Sequence, residues 1–168
     1  MSLKRLATHI PNTITLLNLI AGCIAVVLAS QGGLVLAALF IFAGAVFDFL
    51  DGLAARLLRV SSPLGEQLDS LADIITFGFA PAFLLYTHLG HMHTEPVLPH
   101  HQPGLSYADM AGMYLPFVMV VFAALRLARF NLDTRQKEAF LGMPAPAAAL
   151  LAASALYIYH RQEVFQQF

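Results

Sequence analysis

The stretch DFLDGLAARLLRVSSPLGEQLDSLAD, residues 48–73, places four aspartates within segments that are otherwise apolar. In a helix, successive residues turn by about 100°, so positions three and four apart share a face. The first half of the stretch therefore predicts a helical face of roughly 100° that carries acids and small residues together. That face holds Asp48, Asp51, Gly52 and Ala55, with Arg56 at its edge.

The second half of the stretch repeats this pattern after a short polar break at Ser61-Ser62-Pro63. Gly65, Asp69 and Asp73 recur every four residues, a spacing that drifts only about 40° per step around a helix. Two facing helices would then direct all four carboxylates toward one point.

Carboxylates that lie this close repel each other, and burying them unpaired in lipid or core costs several kcal/mol each. A divalent metal removes the repulsion, and a ligand set made only of oxygens suits Mg²⁺ or Mn²⁺ better than zinc. Four acids from two helices can bridge two ions about 4 Å apart. Gly52 and Gly65 would let a bulky ligand approach the backbone, and Arg56 offers a fork for phosphate.

The spacing of these eight positions resembles the signature of the CDP-alcohol phosphotransferases. Members of this family are membrane enzymes that move a phosphatidyl or similar group from a CDP-linked lipid to an alcohol and release CMP. The alternative is a helical bundle in which the acids merely pair with Arg56 and Arg59. This alternative does not explain why the eight positions are spaced as they are.

Composition indicates an integral membrane protein. Of 168 residues, 58% are hydrophobic and 11% are charged, and the mean hydropathy is +0.70, more apolar surface than one soluble core of this size can bury. A net charge of −1 argues against a nucleic-acid partner. The single cysteine, Cys23, lies in an apolar run and is expected to be a buried small side chain.

The predicted fold is an all-α membrane bundle in a single domain, residues 1–168, that begins with a short amphipathic helix at the membrane interface over residues 1–10. A signal peptide is not expected, because no small-residue cleavage site follows. The family core implied by the resemblance has six spans, so a domain that lacks the sixth is expected. Five apolar stretches have about the length that a bilayer requires, near 13–30, 34–57, 66–89, 108–130 and 143–160.

Basic residues fall on one side of the membrane if these spans alternate in direction. Eight lie on that side and only Arg161 on the other, which by the positive-inside rule makes the first side cytoplasmic. The aspartates lie toward the same side, so the site is expected to face the cytoplasm of a bacterial-type inner membrane. The eight residues are Lys4, Arg5, Arg56, Arg59, Arg126, Arg129, Arg135 and Lys137.

The first span opens with PNTITLLN, residues 11–18, in which Asn12, Thr15 and Asn18 follow one helical face. Such residues can cap a helix or bond to neighbouring helices. The resemblance favours a functional role, since family members carry a similar Pro-Asn and Thr near the nucleotide. It implies that Asn12 and Thr15 bind the cytidine diphosphate, together with Gly52, Ala55, Arg56 and Gly65.

The fourth span ends in RLARFN, residues 126–131, and FLGMPAPAAA follows at 140–149. Arginines at such a position are often only membrane anchors. Both stretches, and SLADIITFGFAPA at residues 70–82, resemble the phosphatidylserine-forming branch of the family. Arg126, Arg129 and Asn131 are therefore candidates for binding serine or phosphate, because a serine carboxylate matches a guanidinium fork.

The resemblance implies transfer of the phosphatidyl group of CDP-diacylglycerol to L-serine, with phosphatidylserine and CMP as products. All four aspartates would hold Mg²⁺ or Mn²⁺, as two ions, and Asp73 would also be the base that deprotonates serine. Expected partners are both substrates, membrane lipids and a second copy of the chain in a homodimer. Alternatives are the same reaction with glycerol 3-phosphate or an inositol phosphate, and a divalent-cation transporter, which leaves Gly52, Ala55, Gly65 and Arg56 unexplained.

Histidines cluster around a loop on the opposite side, at positions 88, 91, 93, 100 and 101. Such a cluster can bind zinc. Solvated histidines without a specific ligand are the favoured interpretation, because no cysteine or acid completes a closed site and three prolines interrupt the loop.

Overall fold

The computed structural model describes the backbone of residues 3–93, 107–132 and 145–166, and the side chains of residues 9–90, 111–129 and 145–160. These ranges are helical nearly throughout and contain no strand, so the predicted all-α fold is confirmed. The helices are α1 (Leu3–Ser30), α2 (Leu34–Leu58), α3 (Pro63–Asp73), α4 (Ala80–His93), α5 (Tyr107–Tyr114), α6 (Val118–Leu132) and α7 (Ala145–Gln166). A π-helical segment (Ile74–Phe79) joins α3 to α4, and a 3₁₀ turn (Leu115–Phe117) joins α5 to α6.

Four segments are long and apolar enough to cross a membrane, and Ala145–His160 is a shorter apolar helix. These segments coincide with the five predicted spans, and the chain is an integral membrane protein. The four longer segments are His9–Ser30, Leu34–Leu58, Pro63–Gly90 and Ala111–Arg129.

The first helix differs from the expected arrangement at its start. A separate interfacial helix was predicted over residues 1–10, whereas α1 continues without a break from Leu3 into the first span. Pro11 lies inside this helix and lacks the N–H that would bond one turn back. The helix nevertheless continues past this residue.

The junction between α2 and α3 brings the two aspartate-bearing helices together. Arg59 ends α2 in the left-handed conformation, with φ of 50°, and the Val60 N–H donates back to the Ala55 carbonyl at 3.1 Å. Ser62 then caps α3, because its hydroxyl accepts a hydrogen bond from the Gly65 N–H at 3.0 Å. Pro63 occupies the first turn, where a missing N–H costs nothing. The predicted polar break is thus a tight helix-to-helix connection.

The third span is one continuous rod made of α3, the π-helical segment and α4. Within this rod the helix widens into a π-helical turn at Ile74–Phe79. Such turns shift the faces on either side and are frequent at functional sites. This one turns Thr76 toward α1, where its hydroxyl donates to the Asn18 carbonyl at 3.0 Å.

The core away from the aspartates is built mainly from small side chains. Ala37 and Ala38 of α2 are completely buried, and so are Ala149 and Ala153 of α7. Side chains this small let helix backbones approach closely. The close approach strengthens van der Waals packing, which contributes to helix association in lipid. Phe77 is buried in the same cluster as these alanines.

Cys23 departs from the prediction. Its side chain is exposed, although a buried position was expected. It lies next to the buried Gly22 but on the outer face of α1, so Cys23 points toward lipid while other residues of the same apolar run face the core.

We predict that Gly22→Ala destabilises the bundle. A Cβ atom at this position would lie 2.9 Å from the Thr76 Cα atom, and because that atom belongs to backbone, the π-helical segment would have to move. Overpacking of this kind costs about 1–3 kcal/mol. Thermal unfolding in detergent, followed by circular dichroism, should show a lower midpoint.

Gly112→Ala is the matched control, because nothing lies within 4 Å of a Cβ atom there among the described residues. We expect its midpoint to be unchanged or higher, since alanine favours a helix. Equal midpoints for the two variants would contradict the close approach of α1 to the π-helical segment.

Candidate active site

Three of the four aspartates converge at the α2–α3 junction. Oxygen atoms of Asp48, Asp51 and Asp69 all lie within 4.8 Å of one another. Asp51 is buried, and Asp48 and Asp69 are half-buried. The predicted convergence of two helical faces is therefore observed for these three residues.

Asp73 lies one turn beyond Asp69 and is 8% exposed. It lies within electrostatic range of the other three carboxylates. The Asn18 side chain contacts it from α1, donating from Nδ2 to Asp73 Oδ1 at 3.4 Å. This contact with α1 orients one oxygen of Asp73, which lies beside the cluster of three.

Asn18 is a site residue that the sequence analysis left without a role. It is completely buried, and its backbone carbonyl accepts a hydrogen bond from the Thr76 hydroxyl at 3.0 Å. This second contact fixes α1 against the π-helical segment that follows Asp73. The signal was present in the sequence, because Asn12, Thr15 and Asn18 share one helical face, but the sequence could not show which of them meets an acid.

A cavity of about 160 Å³ opens beside the carboxylates, between α1, α2 and α3. It brings together most of the residues that were predicted to bind the nucleotide or metal. The predicted residues that line it are Asn12, Thr15, Asp51, Gly52, Ala55, Gly65 and Asp69. The sequence analysis did not anticipate the others, which are Pro11, Val60, Ser61, Ser62 and Glu66.

Gly65 is required where α3 passes closest to α1. A Cβ atom at this position would lie 2.8 Å from Asn12 Oδ1 and 3.1 Å from the Ser62 hydroxyl. A larger residue would therefore displace both the predicted nucleotide ligand and the cap of α3. Gly52 is less crowded, since a Cβ atom there would meet only the Arg56 guanidinium at 3.6 Å.

Arg56 does not line the cavity in this structure. Its Nε–H donates to the Gly52 carbonyl at 2.9 Å, and the side chain is exposed. It therefore lies along its own helix, next to the lining residues Gly52 and Ala55 but outside the lining itself.

The predicted acceptor-binding residues lie on α6. Arg126 is half-buried and lines a second, apolar cavity of about 400 Å³ together with Phe77 and Phe122. Arg129 is exposed and lies outside the lining of this cavity. Asn131 belongs to α6, but its side chain lies outside the described residues. Arg126 and Arg129 both lie near the end of α6, but only Arg126 borders this cavity.

The carboxylate cluster fits a hard divalent cation. Asp51 Oδ2 is buried, and no hydrogen-bond donor reaches it from the side chains that the structure describes. A buried carboxylate oxygen without a partner is costly, and two further carboxylates lie beside it. Oxygen ligands in this arrangement suit Mg²⁺ or Mn²⁺.

Comparison with known proteins agrees with this geometry. Residues 8–168 match the CDP-alcohol phosphatidyltransferase family. The chain belongs to this family. Enzymes of the family transfer phosphatidyl groups in phospholipid synthesis and use divalent metal.

Several relatives in this family are named CDP-diacylglycerol–serine O-phosphatidyltransferase. The Bacillus subtilis protein is 34% identical over 152 residues, which is 90% of this chain and 77% of the relative. The Helicobacter pylori protein of strain 26695 is 35% identical over 143 residues, 84% of this chain and 54% of the relative. The Methanocaldococcus jannaschii protein is 32% identical over 150 residues, 89% of this chain and 61% of the relative.

The chain thus spans about half the length of the Helicobacter relative and about three quarters of the Bacillus relative. No solved structure matches it.

We predict that Asp69→Asn weakens Mn²⁺ binding at least tenfold, about the smallest loss seen even for residues that only support metal ligands. The replacement keeps the size of the side chain and removes one of three charges that converge within 4.8 Å. Titration of the purified chain in detergent, with free Mn²⁺ measured by electron paramagnetic resonance, gives the affinity.

Glu163→Gln, on α7, removes one carboxylate elsewhere in the chain and controls for the change in net charge. Its Mn²⁺ affinity should equal that of the wild type. An unchanged affinity in Asp69→Asn would show that the cluster is not the metal site.

Proposed function

We propose that this chain transfers the phosphatidyl group of CDP-diacylglycerol to the hydroxyl of L-serine, forming phosphatidylserine and CMP in phospholipid biosynthesis. The observation that carries the proposal is the convergence of Asp48, Asp51 and Asp69 at a cavity lined by small residues. The names of the relatives from Bacillus and Helicobacter support serine as the acceptor.

The cavity suits the CDP portion of the substrate. Gly52, Ala55 and Gly65 leave space beside Asp51, and Asn12 offers both a donor and an acceptor for the edge of a pyrimidine. Thr15 lies deeper, with its hydroxyl donating to the Pro11 carbonyl at 3.1 Å. Arg56 would reach the diphosphate only after leaving its bond to the Gly52 carbonyl.

Asp48, Asp51 and Asp69 would hold Mg²⁺ or Mn²⁺, and Asp73 would complete the ligand set for a second ion. When bound, the metal neutralises the diphosphate and the charge that develops on CMP as it leaves. The buried, unpartnered Asp51 Oδ2 is the feature of this chain that most directly calls for a cation.

Asp73 is the residue we assign as the base. A hydroxyl is a weak nucleophile until a base accepts its proton. In the proposed reaction the serine oxygen forms a bond to the phosphorus that carries diacylglycerol, the bond from that phosphorus to CMP breaks, and the serine proton passes to Asp73. Asn18 is a positioning residue, because its amide directs one carboxylate oxygen of Asp73 and leaves the other for the acceptor.

The acceptor or the lipid phosphate would meet the protein at Arg126. This guanidinium borders an apolar cavity whose wall includes Phe77, one turn beyond Asp73. A cationic group next to an apolar cavity matches an amphiphile with an anionic head. Arg129 and Asn131 remain candidates for the same role.

We also propose that the site faces the cytoplasm of a bacterial-type inner membrane and that the chain forms a homodimer. The orientation rests on the basic residues, since Arg56 and Arg59 end α2 on the side where the aspartates lie. CDP-linked substrates are made on that side. The homodimer rests on the family resemblance alone, and cross-linking in native membranes is its test.

An acceptor panel tests the proposed function. The purified chain in micelles, with CDP-diacylglycerol and Mn²⁺ or Mg²⁺, is offered labelled serine, glycerol 3-phosphate or inositol phosphate, and labelled lipid and CMP are measured. We expect metal-dependent product from serine alone. Arg126→Ala should raise the KM for serine if this residue binds the acceptor, and the KM for CDP-diacylglycerol if it binds the lipid phosphate.

Product from another acceptor would preserve the aspartate chemistry and contradict the assignment of serine. Metal uptake into sealed vesicles without nucleotide, in the absence of any lipid product, would instead support the transporter alternative.

The assignment of Asp73 predicts that Asp73→Asn lowers kcat by about 10²–10⁴-fold, the usual contribution of a general base. Mn²⁺ binding at the cluster of three should persist, because Asp48, Asp51 and Asp69 are unchanged. Asn18→Ala should lower kcat by less and leave the KM for CDP-diacylglycerol unchanged, since Asn18 acts only through Asp73. Turnover by Asp73→Asn with metal bound would contradict the assignment.

A further inference from the structure

His88 and His160 meet at the end of the bundle opposite to the aspartates. His88 Nδ1 and His160 Nε2 are 3.0 Å apart, although the residues are 72 positions apart in the chain. His88 is 8% exposed, and its ring also packs edge-on against Tyr159. Asp73 and His88 are 15 positions apart in the third span, a distance of about 22 Å along a helix. This pair is therefore separate from the active site.

The pair lies next to the histidine-rich part of the sequence. Five of the seven histidines occur between positions 88 and 101. The fold adds His160, from the far end of α7, to this group. The sequence favoured solvated histidines without a specific ligand. The contact between the buried His88 and His160 does not fit that interpretation for His88.

We propose that His88 Nδ1 and His160 Nε2 are two ligands of a transition-metal ion, with Zn²⁺ the best match, that links α4 to α7 at this end of the bundle. Two imidazoles on a tetrahedral zinc, each with a Zn–N distance of about 2.0–2.1 Å, have nitrogens roughly 3.3 Å apart. The observed separation of 3.0 Å is close to this value.

Metal binding needs the shift of one proton within the pair and a rotation of the two rings, so that both nitrogens point toward the ion. In the hydrogen-bonded pair, one ring N–H lies between the two nitrogens. When the metal binds, that proton moves to the other nitrogen of the same ring, and both facing nitrogens become donors to the ion. Both imidazoles stay neutral, and water can occupy the remaining coordination positions.

Ligand chemistry separates this site from the aspartate cluster. Imidazole nitrogen suits zinc and its neighbours in the first transition row, whereas carboxylate oxygen suits magnesium and manganese. In the presence of excess Mg²⁺, added zinc should therefore distribute to the histidine pair. The proposal is independent of the transferase activity.

Calorimetric titration of the purified full chain with Zn²⁺, in detergent and excess Mg²⁺, tests the proposal. We expect one ion per chain and a zinc-dependent rise in the thermal midpoint. Co²⁺ in place of Zn²⁺ should give the intense visible absorption of a tetrahedral site with nitrogen ligands. His88→Gln and His160→Gln should each weaken Zn²⁺ binding at least tenfold, as the loss of even a supporting residue does.

Matched variants distinguish the pair from the loop. His9→Gln, at the exposed start of the first span, should bind zinc like the wild type. Replacement of His91, His93, His100 and His101 together by Gln should leave the single site in place. Circular dichroism shows whether each variant is folded. If His88→Gln does not fold, the zinc affinity of His160→Gln tests the proposal. Zinc binding that survives both pair variants, or that disappears with the loop histidines alone, would overturn the proposal.

Discussion

The rest of this structure depends on a single electrostatic constraint. Three carboxylates lie within 4.8 Å of one another inside a membrane protein, and one of their oxygens is buried without a hydrogen-bond donor among the described residues. In a medium of low polarity, such a cluster in its ionised form is stable only with a counterion. We propose that a metal ion and an anionic substrate complete the site.

The helices around the cluster serve to hold the acids in this unfavourable arrangement. The left-handed Arg59 and the Ser62 cap turn the chain from α2 into α3 within a few residues, so both acid faces meet. The π-helical turn then brings Thr76 against Asn18, which in turn contacts Asp73. Close packing of small side chains in the remainder of the core keeps these helices at fixed distances.

Local spacing made much of this predictable, and tertiary contacts account for the rest. The spans follow from the lengths of the apolar stretches, and the shared face of Asp48 and Asp51 follows from helical periodicity. The part of the cavity lining that was predicted rested on the family resemblance. Periodicity could not predict that Asn18 reaches Asp73, that Arg56 bonds to its own helix, or that Cys23 faces outward. Each of these depends on the rotation of one helix against another, which apolar sequences encode only weakly.

We propose that the aspartate cluster holds metal against the diphosphate of a CDP-linked lipid. The most direct measurement is the electron paramagnetic resonance line width of Mn²⁺ bound to the chain, with CDP-diacylglycerol that carries ¹⁷O in the diphosphate and with no acceptor present. We expect the Mn²⁺ lines to broaden with the labelled lipid and not with unlabelled lipid. Bound Mn²⁺ and bound lipid without broadening would contradict it.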